Sequence, residues 1–131
     1  MIGVDTNVLV RYFVVDDEDQ SRRAAEFLER SISADAPGFV SVVVLAELIW
    51  VLERNYRFSP NVIVEAIESV LRAEVLFIDR EPEVLAALSA FKAQRGAFAD
   101  ALIGALAAEV GCSHTVTFDK KAARLPGFRL L

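Results

Sequence analysis

The sequence predicts an α/β fold: a three-layer α/β/α sandwich with a mostly parallel central sheet. Short β-branched runs alternate with longer stretches of helical period, and no hairpin signal joins one strand to the next. The 131 residues, 54% hydrophobic and 25% charged, are enough for one globular domain spanning 1–131.

Each element follows from local chemistry. Ile2 to Val4 is a short apolar run read as a buried strand. Thr6 is placed to cap the helix through Asn7, Val8, Leu9 and Tyr12. Asp16-Asp17-Glu18-Asp19 is an acidic helix entry that complements the helix dipole, opening a helix from Ser21 to Ile32. Pro37-Gly38 marks a turn and Phe39-Val40 a second strand. Ser41 caps a helix carrying Leu45, Leu48, Ile49 and Leu52. Ser59-Pro60 sets a cap before proline at the first helical position, with a helix to about Arg72. Val75 to Ile78 reads as a third strand. Glu81 to Arg95 is a helix stopped by Gly96, and Phe98 to Val110 one stopped by Gly111. His114 to Val116 and Phe128 to Leu130 complete the strands, and Cys112 and His114 are read as core or strand residues.

Composition narrows the function. No apolar run reaches the roughly 18 residues a membrane span needs, and the N-terminus lacks the pattern of a secretory signal. The single Cys112 cannot form an internal disulfide, which fits a reducing cytoplasm. A single His114 excludes histidine-rich zinc chemistry and argues against a Ser-His-Asp triad. The net charge of −5 gives no broad positive surface for nucleic acid. Either no nucleic acid is involved, or the basic residues are local and a metal bridges carboxylates to phosphate.

Four carboxylates stand almost alone in apolar surroundings: Asp5, Glu47, Asp100 and Asp119. A carboxylate held away from water is costly without a partner. Asp5 follows the first strand and Asp119 the fourth. Glu47 lies about two turns into the helix after strand two, and Asp100 in the first turn of its helix. Ligands of open parallel sheets bind beyond the carboxyl ends of the strands, so all four are expected at one edge. Oxygen donors of this kind suit magnesium or manganese, which activate phosphodiesters without histidine.

These same residues carry a family resemblance. Met1-Ile2-Gly3-Val4-Asp5-Thr6-Asn7-Val8-Leu9-Val10-Arg11 resembles the opening of a PIN-domain ribonuclease of the VapC toxin type. Val44-Leu45-Ala46-Glu47, Phe98-Ala99-Asp100-Ala101-Leu102-Ile103 and Thr115-Val116-Thr117-Phe118-Asp119-Lys120-Lys121 resemble its later motifs, in order. The resemblance covers the whole chain. It implies RNA cleavage dependent on Mg2+ or Mn2+, a cognate antitoxin protein that blocks the site, and a homodimer. Several relatives carry a further acid where this chain has Ala97, so the resemblance leaves open whether one ion or two are held.

Other residues take supporting roles in this reading. Thr6, Asn7 and Thr117 are placed to hydrogen-bond the carboxylates, and Arg11, Lys120, Lys121 and Arg124 to hold RNA phosphates. A phosphatase of the haloacid type needs a second Asp where Asn7 stands, and a receiver domain needs adjacent acids after strand one. A non-catalytic PIN-like module would lose the acids that are all present here. Structure-specific DNA cleavage is the nearest alternative. The helix from Val42 to Asn55 is apolar nearly all round, through Val43, Val44, Leu48, Trp50 and Val51. Such a helix needs cover on every side, so a second copy or an antitoxin segment is expected there, with Trp50 as anchor.

Overall fold

The computed structural model describes residues 1–93 and 95–131. Gln94, within the helix expected over Glu81 to Arg95, lies outside the described residues. The chain divides into two compact units, Met1–Asp79 and Arg80–Leu131.

The first unit runs β1 (Ile2–Gly3), α1 (Thr6–Phe13), α2 (Glu18–Glu26), a π-helical turn (Phe27–Ser31), β2 (Gly38–Val40), α3 (Val42–Arg54), α4 (Pro60–Arg72) and β3 (Leu76–Ile78). Its strands lie in the order β1-β2-β3, all parallel, with Gly38 paired to Ile2 on one side and Leu76 on the other. The Val4 N–H donates to the Phe39 carbonyl at 2.9 Å, which carries the pairing past the end of β1.

Capping decides where the helices start. Ser41 Oγ accepts from the Val44 N–H at 3.2 Å, as expected. At α1 the cap is Asp5 and not Thr6: Asp5 Oδ1 accepts from the Thr6 N–H at 2.7 Å, and Thr6 is the first helical residue. A carboxylate satisfies an orphan N–H and also complements the positive end of the helix dipole. For the same reason α2 begins before Ser21, on Asp17, whose Oδ1 accepts from the Gln20 N–H at 3.0 Å. Proline opens α4 directly after Ser59. The core of this unit is Leu9 and Val10 of α1, Leu45, Leu48, Ile49 and Leu52 of α3, and Ile63, Ile67 and Val70 of α4, all buried.

The second unit comprises α5 (Glu81–Lys92), α6 (Phe98–Glu109), β4 (Thr115–Thr117), a 3-10 turn (Ala122–Arg124) and β5 (Phe128–Leu130), with β4 and β5 parallel. Helices α5 and α6 pack on each other, burying Val84, Ala87, Leu88, Phe98, Ala101 and Leu102. The Phe91 and Phe98 rings meet edge-on with centroids 6.5 Å apart. After α6, Gly111 adopts φ +90°, and the Cys112 N–H reaches back to the Ala107 carbonyl at 3.1 Å. Glycine takes this left-handed conformation without a Cβ clash. Cys112 is therefore exposed in a turn, not in core or strand. His114 sits half-buried just ahead of β4, its Nδ1 2.9 Å from Ser113 Oγ.

Every strand pair is parallel and strands alternate with helices, the α/β class read from the sequence. Among the described residues no helix is long and apolar enough to cross a membrane.

Candidate active site

In the first unit, Asp5 leaves the carboxyl end of β1 and caps α1. Glu47 lies in the second turn of α3, which leaves the carboxyl end of β2. Because β1 and β2 are parallel neighbours, both residues belong to the carboxyl edge of this sheet. Glu47 is exposed. It shares one stripe of α3 with Val43, Trp50 and Arg54, opposite the buried Leu45, Leu48, Ile49 and Leu52.

In the second unit, Asp100 lies in the first turn of α6 and Asp119 just beyond β4. Burial holds the Asp100 carboxyl above the ordinary Asp range, and the negative charge of Asp119 raises it further. Asp119 is tightly oriented. Its Oδ1 accepts from the Lys121 N–H at 2.8 Å and the Ala122 N–H at 3.4 Å. Its own backbone N–H donates to Thr117 Oγ1 at 3.0 Å, a bond to the main chain of Asp119 and not to its carboxylate.

The acids are less enclosed than their apolar neighbours in sequence imply. Asp5, Glu47 and Asp119 are exposed, and Asp100 alone is half-buried. Helical periodicity is the reason at Glu47: residues one position away in sequence point to other faces, so an apolar run does not enclose its single acid. Among the described residues no three or more His, Cys, Asp or Glu side chains form a group that could hold a metal ion. What the structure brings together is the pair Asp100 and Asp119. An all-oxygen pair of this kind fits a hard divalent cation. Ala97 precedes α6 at its cap position and supplies no side-chain bond there.

Thr6 is only 5% exposed, and its Oγ1 has no hydrogen-bond partner among the described residues. Asn7 lines a cavity of about 430 Å³ in the first unit, together with Arg11, Gln20 and Arg23. Arg11 is already engaged: its Nε donates to Gln20 Oε1 at 2.7 Å, and its guanidinium pairs with Asp16. The Tyr56 hydroxyl donates to the other Asp16 oxygen at 2.7 Å. Lys120, Lys121 and Arg124 are exposed in and just ahead of the 3-10 turn that follows Asp119.

Gln20 and Arg23 join Asn7 and Arg11 in the cavity without having been anticipated. Their spacing offered a signal, since 7 and 11 share a face of α1 and 20 and 23 a face of α2. Tyr56 offered none, being 40 residues from Asp16.

The PIN domain family model matches residues 2–127, a span that runs through both units. A VapC ribonuclease of Aquifex aeolicus (strain VF5) is 27% identical over 126 residues, covering 96% of this chain and 92% of the relative. With the acids standing at strand ends and helix starts, and a family match over nearly the whole sequence, the chain belongs to the PIN domain family.

Proposed function

We propose that this chain is a ribonuclease dependent on magnesium or manganese, the toxin of a toxin–antitoxin pair, acting in the cytoplasm as a single domain over 1–131. The observation that carries the reading is the placement of Asp100, half-buried in the first turn of α6, and of Asp119 just beyond β4, its carboxylate held by the Lys121 and Ala122 N–H groups. The similarity to a VapC ribonuclease supports it.

In this reading Asp5, Glu47, Asp100 and Asp119 are the acids that would hold the cation. A divalent ion on such donors would supply Lewis acidity toward a phosphoryl oxygen and acidify water. The protein's own part is positioning. Backbone N–H groups of Lys121 and Ala122 fix the Asp119 carboxylate, and Thr117 fixes its backbone. Lys120, Lys121 and Arg124 lie beside Asp119, where they hold RNA phosphates. Arg11 has to leave Asp16 or share it to do the same. Thr6, Asn7 and Thr117 orient carboxylates or water. The partners are RNA, a cognate antitoxin and a second copy of the chain.

The test is incubation of the purified chain with total RNA and with structured DNA, each with and without magnesium. Discrete RNA fragments that require the metal support the reading. Cleavage of DNA alone favours a structure-specific DNA nuclease. Intact substrates in every arm favour a non-catalytic binding module.

A further inference from the structure

Phe118, directly after β4, is 79% exposed, the most open of the large apolar side chains among the described residues. Its neighbours in the chain are firmly held. The Thr117 carbonyl accepts from the Leu131 N–H at 2.8 Å, and the Asp119 carbonyl from the Ala123 N–H at 3.0 Å. The Asp119 carboxylate is bonded as described above, and burial of Ala122 and Leu125 anchors the turn that follows. The backbone thus presents the Phe118 ring in a fixed place, yet the ring serves no core. Phe128 of β5 makes the contrast, since it lies against Gly104 of α6. Among the described residues no other aromatic ring meets Phe118.

The charges around the ring have one dominant sign. From Gly111 to Leu131 the sequence carries Lys120, Lys121, Arg124 and Arg129 against the single acid Asp119, in a chain with 14 basic and 19 acidic residues. All four cations are exposed, and among the described residues none is in an ion pair. An open ring among unpaired cations suits single-stranded nucleic acid, with phosphates on the cations and a base on the ring. Consecutive Cα atoms lie about 3.8 Å apart, so RNA cleaved beside Asp119 carries a base past Phe118. A base inside a duplex keeps its faces in the stack and offers none to the ring. An acidic protein segment suits the cations too, but gives no reason for an aromatic ring next to the acid that the reaction uses.

We propose that Phe118 stacks an unpaired RNA base beside the cleaved bond, while Lys120, Lys121 and Arg124 take the flanking phosphates. This role of Phe118 rests on the nuclease reading above and adds to it a preference for unpaired RNA.

Binding without turnover tests it. Fluorescence anisotropy in EDTA gives the Kd of wild type, Phe118→Leu and Phe118→Tyr for a short labelled RNA, single-stranded and as a duplex. Phe118→Leu should raise the single-strand Kd about tenfold, the loss expected of one stacked base, and leave the duplex Kd unchanged. Phe118→Tyr keeps the ring and should bind as wild type does. The slope of log Kd against log salt should be the same in wild type and Phe118→Leu, because stacking displaces no counterions. An unchanged single-strand Kd in Phe118→Leu overturns the proposal. So does a loss equal on single strand and duplex, a shallower salt slope, or Phe118→Tyr as weak as Phe118→Leu.

A labelled polyglutamate peptide is titrated in parallel. If Phe118→Leu weakens the peptide and not the RNA, the ring belongs to an acidic protein segment and the proposal is overturned. Cleavage of total RNA by wild type separates this proposal from the reading beneath it. Where wild type cleaves RNA and Phe118→Leu binds the single strand as tightly, Phe118 alone loses its role. Where wild type neither binds nor cleaves RNA, the nuclease reading fails as well.

Discussion

At the scale of single residues, Asp100 carries a charge that its surroundings disfavour. Its folded pKa is raised by burial and by Asp119, so the folded chain binds its proton more tightly than the unfolded one. The sign follows: stability is greater below the ordinary Asp range and falls as pH rises through the raised folded value. Asp100→Asn should therefore raise the thermal midpoint at neutral pH without divalent metal, and the gain should vanish in acid. Calorimetry across that pH range checks this, and a variant less stable at neutral pH would point to a structural partner for the carboxylate. Thr6 makes a related case. A buried hydroxyl with no partner costs about 1–3 kcal/mol, so Thr6→Val, which keeps the shape and the backbone bond to Asp5, should stabilise the fold by about 1 kcal/mol. Chemical denaturation measures that gain. If Thr6 orients the site, RNA cleavage falls in the same variant, so that stability and activity move in opposite directions.

At the scale of elements, packing overrides propensity in α6. Glycine inside a helix costs about 1 kcal/mol relative to alanine, which makes Gly104→Ala look favourable. A Cβ at Gly104, however, would run into the Phe128 ring of β5. Overpacking of this kind costs about 1–3 kcal/mol, so Gly104→Ala should lower the thermal midpoint. A raised midpoint would mean that Phe128 turns aside freely. The junction of α1, α2 and the loop after α3 depends on polar contacts instead. The Tyr56 hydrogen bond, together with Arg11, holds the exposed Asp16 below the ordinary carboxylate range. A depressed folded pKa gives stability that is present above the unfolded value and lost as pH falls through the folded one. Tyr56→Phe should thus lower the midpoint at neutral pH, and the gap to wild type should close in strong acid. A gap independent of pH would assign the loss to packing of the ring.

Across the whole molecule, what the sequence made legible follows from which forces are local. Strand and helix identity came from periodicity, and Ser41, Pro60 and Gly111 marked helix ends because caps act within a turn. The cap of α1 was misread for a local reason too: Asp5 and Thr6 are adjacent candidates, and the charged one wins at a helix N-terminus. The π-helical turn at Phe27–Ser31 and the 3-10 turn at Ala122–Arg124 left no periodic trace. The four acids were found by their isolation in apolar runs, yet that isolation misjudged their exposure. It reports sequence neighbours, whereas exposure depends on which face of an element packs. The Asp16–Tyr56 bond and the clash that Phe128 would make with a side chain at Gly104 span long stretches of chain, and only the folded structure shows them.

The central claim is that these acids would hold a divalent cation on which the chain's cleavage of RNA depends. It is tested most directly by RNA cleavage and manganese binding measured on wild type and Asp5→Asn. Asn keeps the shape of Asp5 and can still cap α1, so the fold should persist by circular dichroism while cleavage and manganese binding both collapse. Near-normal cleavage of RNA by a folded Asp5→Asn would contradict the account.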